Sequence, residues 1–306
     1  MALLYFSKVN VNANIFDVYS EEIKIKDILD QLYFNISDEK EYAKREEKTF
    51  INDEGNFESI VNEELYNFSE LEKVTLEGRK YITGKLIRRY PLHTEQWDIK
   101  KRESRKVTHS NNSTSIFFYF DISTEIISFT ERQKFGFKQF NEAFQELLNI
   151  YMDSTGFEIF LLNDPFTIEE RLRNAHKIYR LKSTIIPPNN NDSYLKELYD
   201  DEVSQMQESN VQKKTNIFEV HKKSVKGINI EADMVKRVVN SNVAIDKFAR
   251  GYGTIEVDGE DEDGTKFSFN SEVHSPYKIT IKESIRSNKK KLIEKANKAI
   301  DAFMTR

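Results

Sequence analysis

Between positions 85 and 106 the sequence gathers Lys85, Arg88, Arg89, Lys100, Lys101, Arg102, Arg105 and Lys106, against Glu95, Asp98 and Glu103. Tyr90 and Trp97, the single tryptophan, lie among them. Guanidinium and ammonium groups neutralise phosphates and aromatic rings stack on bases, so this mixture is what a nucleic-acid surface requires. The same residues also suit a solvated connection between strands, with Trp97 packed inside, because charge runs are commonly ordinary surface. The expectation is a nucleic-acid site made of Lys85, Arg88, Arg89, Trp97, Lys100, Lys101, Arg102, Arg105 and Lys106. Trp97 or Tyr90 would supply the stacking ring.

Other constellations compete with it. Arg286, Lys289, Lys290, Lys291, Lys295 and Lys298 crowd the polar side of a closing helix, where they form either an anion-binding face or an exposed one. Arg171 and His176 have a spacing that resembles the catalytic pair of the helical HEPN ribonucleases, with His as acid or base and Arg as phosphate stabiliser. On one helix they would stand about 140° apart, and strands flank them here. Asp258, Glu260, Asp261, Glu262 and Asp263 offer oxygen ligands at high density, but without the order of a calcium loop; a hairpin tip turned by Gly259 and Gly264 accounts for them. Asp17, Glu22 and Lys24 faintly resemble a nuclease acidic–lysine motif, and a charged hairpin explains them equally. The sequence has no glycine-rich phosphate loop and no nucleophile elbow. The histidines, His93, His109, His176, His221 and His274, make no metal-binding pair at helical spacing. No metal site or cofactor is expected; Mg²⁺ enters only if the chain is a nuclease.

The elements that would position these residues are organised around positions 115–162. Ile116–Asp121 and Ile126–Phe129 flank a turn and read as a hairpin. Phe137, Phe140, Phe144, Leu147, Leu148 and Tyr151 then recur three or four apart, the spacing of one helix face. Thr130 is placed to cap that helix, with Gln133 as its reciprocal partner. An apolar run over 157–162 returns as a strand. Upstream, residues 2–11 read as a strand, 15–19 and 23–25 as a second strand or a long hairpin partner, 27–34 as a helix and 37–48 as an exposed helix or loop. Residues 57–76 read as a strand plus a helix. Residues 81–90 form a strand that Pro91 ends, followed by a polar excursion over 93–110 and an exposed loop over 111–114. Downstream come a helix over 167–176, a strand over 177–186, helices over 193–208 and 230–240, a hairpin with its tip at 260–264, a further strand over 277–281 and a closing helix over 284–303.

The fold expected is α+β, a largely antiparallel sheet backed by amphipathic helices. Pro187-Pro188 and the polar residues after them mark a boundary between a domain at 1–187 and a smaller helix–hairpin–helix portion at 188–306. The chain has 306 residues, 38% of them hydrophobic and 12% aromatic, enough for a sizeable core. A net charge of −5 argues against a surface that is basic throughout and leaves room for a local patch. The absence of cysteine removes disulfides, thiolate metal sites and thiol nucleophiles, and suits a reducing compartment. The start reads as a strand and not as a signal peptide, and no apolar run is long enough to span a membrane.

Three stretches carry a resemblance in layout: Leu3-Leu-Tyr-Phe-Ser-Lys-Val-Asn, Ile116-Phe-Phe-Tyr-Phe-Asp-Ile-Ser-Thr-Glu-Ile-Ile-Ser-Phe, and Gly251-Tyr-Gly-Thr-Ile-Glu-Val-Asp-Gly. Together they resemble uncharacterised bacterial proteins often found in phage-defence or abortive-infection gene neighbourhoods. The resemblance brings no catalytic motif and no site residue. It implies a cytoplasmic role beside a partner protein or further copies of the chain, sensing or binding DNA or RNA, away from the membrane. A defence nuclease and a protein–protein adaptor are the alternatives.

Overall fold

The computed structural model describes residues 1–51, 55, 57–76, 78–189, 202–244 and 252–305. Strand β1 (Ala2–Val11) sets the layers. Its even-numbered Leu4 and Phe6 enter one apolar cluster, and its odd-numbered Tyr5, Val9 and Val11 enter another. Alternation along a strand sends successive side chains to opposite faces, so β1 lies between two cores.

The first core is covered by α2 (Ile25–Asn35) and α3 (Phe137–Tyr151), the second by α8 (Lys289–Met304). The phenylalanine spacing of α3 has the expected result. Phe140 stacks on Phe129 with ring centroids 3.8 Å apart, and Phe144 meets Phe68, Phe118 and Phe120. Thr130 does not cap this helix. It ends β6 (Ile126–Thr130) opposite Leu4, and the Phe137 amide donates instead to Glu131 Oε1 at 2.7 Å.

The main sheet is antiparallel throughout and runs β12–β1–β6–β5–β4–β3–β2, built from β2 (Glu41–Ile51), β3 (Phe57–Leu76), β4 (Arg79–Asp98), β5 (Glu103–Asp121) and β12 (Lys278–Ile281). β7 (Phe157–Leu161) pairs with the second half of β1. A second antiparallel sheet has the order β11–β10–β8–β9, from β8 (Lys177–Ile185), β9 (Lys214–Glu219), β10 (Gly253–Glu260) and β11 (Lys266–Asn270). It packs against α4 (Pro165–Asn174) and α5 (Asp233–Ala244), and the short α6 (Ser271–His274) follows β11. The protein is therefore α+β, as its patterning predicts.

Several expectations are corrected. Residues 15–19 form a helix, α1 (Ile15–Tyr19), and not a strand. Residues 41–51 form a strand, and residues 57–76 form one long strand with no helix. β4 does not end at Pro91 but continues to Asp98, because its register with β5 shifts between Tyr90 and Leu92. Proline is tolerated at such a bulge, where the ladder is already interrupted. Residues 111–114 belong to β5. Residues 278–281 join β1, away from the β10–β11 hairpin. The closing helix is broken at Ser287 into α7 (Glu283–Arg286) and α8, with Asn288 Oδ1 accepting from the Lys291 amide. Of the helix expected over 193–208, residues 202–208 are helical and 193–201 lie outside the described residues.

The division expected at Pro187 falls between strands of one sheet, since β8 precedes it and its partners β9 and β10 follow it. The segment is held to the first sheet. Asn189, 2% exposed, accepts from the Val11 amide and donates to the Val9 carbonyl and to Glu125, whose carboxylate also pairs with Lys8 at 2.8 Å. Tyr19 donates to the Pro188 carbonyl.

Candidate nucleic-acid interface

β3 pairs with β4 only as far as Leu65 opposite Arg89. Beyond that point the β2–β3 hairpin and the β4–β5 hairpin part, each continuing as a two-stranded ribbon. The basic excursion is the β4–β5 ribbon and its root.

The structure divides the expected residues into two groups. Lys85, Arg88 and Arg89 lie at the root and are engaged. Lys85 pairs with Glu70 at 2.6 Å, and Arg89 with Glu41. Arg88 is buried. Its Nη2 donates to Glu64 at 2.5 Å and Nε to the other carboxylate oxygen at 3.0 Å, while Nη1 holds the Lys134 carbonyl. Its guanidinium also lies 4.5 Å from the ring centre of Tyr90, so one face of that ring is covered. Burial alone would push Glu64 up, but hydrogen bonds from Arg88 and Tyr66 outweigh it and hold the carboxyl below the usual range.

Trp97, Lys100, Lys101, Arg102, Arg105 and Lys106 form the second group, exposed at the far end. Trp97 is 64% exposed and Ile99 82%, so the expectation of a packed tryptophan fails. The tip is shaped by Asp98. Its Oδ1 accepts from the Lys100 and Lys101 amides, its carbonyl accepts from the Arg102 amide, and Arg102 adopts φ 53 to close the turn. Among the described residues only Lys101 of this group has an ion pair, at 3.8 Å to Glu103. Pairing across the ribbon puts Trp97 opposite Ser104 and Glu95 opposite Lys106, so Trp97 and Lys106 share a face; Gln96 opposite Arg105 places Arg105 on the other.

At the root lies a cleft of about 670 Å³, whose lining includes Tyr90, Leu92, Arg132, Lys134 and Arg286. Arg132 and Lys134 belong to a tight turn in which the Arg132 and Phe135 amides and carbonyls pair reciprocally, with Lys134 at φ 60. Arg286 donates to the Glu131 carbonyl at 2.7 Å and to Glu283 at 3.0 Å. The closing basic stretch thus meets the first one through Arg286. Arg132 and Lys134 escape sequence reading, since nothing local distinguishes a short Arg-Gln-Lys turn.

The competing constellations are dispersed. Arg171 lies in the last turn of α4, whereas His176 lies beyond the helix, before β8. Glu260 is bound by Tyr179 and Lys177, and Asp258 lies 3.9 Å from Arg180. Asp17 sits on α1 and accepts from Asn14, with Glu22 and Lys24 in the following loop. Lys289 pairs with Glu72 and Lys298 with Glu294. No group of three or more His, Cys, Asp or Glu among the described residues is arranged to hold a metal. No helix among them is long and apolar enough to cross a membrane.

Residues 34–300 match the model of a domain of unknown function, DUF4747. The chain belongs to the DUF4747 family. The DUF4747 match begins in α2 and ends in α8, so it contains both ribbons, the tip and the cleft, while β1 precedes it. No curated protein matches the chain.

Proposed function

We propose that this DUF4747 protein is a nucleic-acid-binding or sensor subunit that contacts DNA or RNA through the tip of the β4–β5 ribbon. The observation that carries the reading is the exposure of Trp97 beside Lys100, Lys101, Arg102, Arg105 and Lys106, of which only Lys101 is ion-paired among the described residues. Leaving an aromatic ring and several cations unsatisfied on a projecting element suits a partner that brings both phosphates and π-faces. The setting we propose is bacterial phage defence in the cytoplasm, beside a partner protein or further copies of the chain; it rests on the layout of the three stretches quoted above.

The test is binding of labelled single- and double-stranded DNA and RNA across a salt series, with and without Mg²⁺. Wild type is compared with a Lys100→Ala, Lys101→Ala, Arg102→Ala variant. The expected result is salt-sensitive binding that the variant loses. Mg²⁺-dependent shortening of the probe would replace this reading with a nuclease. No binding at low salt would overturn it in favour of an adaptor, whose partner a pull-down would then seek.

A further inference from the structure

The root cleft has a charge pattern that the fold does not require. Arg132 and Lys134 are exposed and have no ion pair among the described residues. Arg286 joins them, its own charge shared with a Glu283 that is 62% exposed. The one carboxylate in the lining is Glu131, and its Oε1 is occupied by the Phe137 amide. The side chains therefore leave a positive potential facing open space, between a tight turn and the ribbon.

The cleft also has a direction. Leu92 lines it, and alternate residues of β4 beyond the bulge share that side, namely Thr94 and Gln96. Gln96 stands opposite Arg105, so Arg105 lies on the cleft side of the ribbon. A row of cations runs from the tip turn past Arg105 to Arg132, Lys134 and Arg286. The eight residue steps from Tyr90 to Asp98 on β4 cover about 26 Å at the rise of a strand. A strand advancing about 3.4 Å per nucleotide, the spacing it has within a duplex, crosses that length in about eight nucleotides, and a more extended single strand in fewer.

We infer that the root cleft is a second phosphate-binding subsite, and that one single strand of nucleic acid lies along the ribbon with its phosphates held at the tip and in the cleft. This rests on the reading of the tip as a nucleic-acid site. Trp97 stands on the face opposite Arg105 and the cleft, so a single strand, flexible enough to turn over the tip, is favoured over a duplex, and exposed Trp97 takes a base that is not already paired and stacked. Arg132 and Lys134 would act as phosphate contacts, with Arg286 fixing the turn that carries them.

The experiment measures affinity for oligothymidylates of about four and about twelve nucleotides across a salt series. Wild type, the tip variant and an Arg132→Ala, Lys134→Ala variant are compared. Both cleft positions are exposed, so the melting temperature should not move and serves as the control. Expected for wild type is clearly tighter binding of the longer probe. The cleft variant should lose that advantage, keep its affinity for the shorter probe, and lower its salt slope on the longer one by about 1.4, for two phosphate contacts. A cleft variant with wild-type affinity and slope on both probes overturns the inference and leaves the tip reading intact. Failure of wild type to bind either probe removes both. If inorganic phosphate at millimolar levels displaces the longer probe from wild type but not from the cleft variant, the subsite is confirmed as a phosphate site.

Discussion

Arg88 on β4 and Arg286 on α7 donate to two carbonyls of the same turn, those of Lys134 and Glu131. Arg88 comes from the strand face that carries α3, and Arg286 from the segment leading into α8. The turn at the ribbon root is thereby pinned by two elements far apart in sequence. Arg88, read from sequence as a phosphate ligand, is spent on the fold.

Its substitution should accordingly damage stability and not binding alone. Arg88→Ala leaves Glu64, part-buried and still held by Tyr66, without its charged partner and should cost about 1.5–3 kcal/mol, the range for hydrogen bonds to a charged group. Urea denaturation of Arg88→Ala, Glu64→Gln and the double variant measures this. The double variant should be less impaired than the sum of the two singles.

The same pair sets a pH dependence. The folded-state pKa of Glu64 is depressed, so its contribution to stability is complete above the unfolded carboxylate range. It should be lost as pH falls through the lower folded value. Melting temperature followed down from neutral pH should fall less steeply below about pH 4.3 in Glu64→Gln than in wild type.

Trp97 provides an optical test, because it is the only tryptophan and is 64% exposed. The free protein should emit as a solvated indole, and adding an oligonucleotide should quench the emission. Trp97→Ala should fold normally and weaken binding by about 1–3 kcal/mol, the range for loss of one stacked base. Tyr90→Phe should bind as wild type does.

Gly84 tests the packing behind the ribbon. A Cβ there would stand 2.6 Å from Leu71 Cδ2, 3.1 Å from the Ser69 carbonyl and 3.3 Å from Phe118 Cζ. The bulge between Ser69 and Glu72 brings this backbone close. Gly84→Ala should lower stability by about 1–3 kcal/mol through overpacking, read by calorimetry.

Asn189 tests the Pro187–Asn189 anchor. Asn189→Ala would leave the Val11 amide without its partner and remove donors from the Val9 carbonyl and Glu125. The expected loss is about 1–3 kcal/mol in urea denaturation, for an unsatisfied buried group.

The sequence was legible where one face of an element is buried. The phenylalanines of α3 point to a core, and the helix stands where their pattern places it; β1 reads as a strand although both of its faces are buried. It was illegible along the ribbons. β2 alternates no apolar residues, because much of it faces solvent on both sides, so Tyr42-Ala-Lys-Arg-Glu-Glu reads as a loop until its pairing with β3 is known. Pro91 ends a strand under the local rule and continues one here because a bulge absorbs it. The candidate tip was visible as composition. The cleft was not, since its residues come from β4, β5, the turn after β6, and α7.

β1 is paired along its first half with β12 and along its second half with β7, on the same edge. One of these partners precedes the other by more than 100 residues in the chain. A chain emerging from the ribosome can therefore complete the Val9 end of β1 early, while the Leu4 end waits for residues 278–281. Until they arrive, the Leu4 end of that edge stands open, and nascent-chain aggregation or chaperone capture is expected to concentrate in that interval.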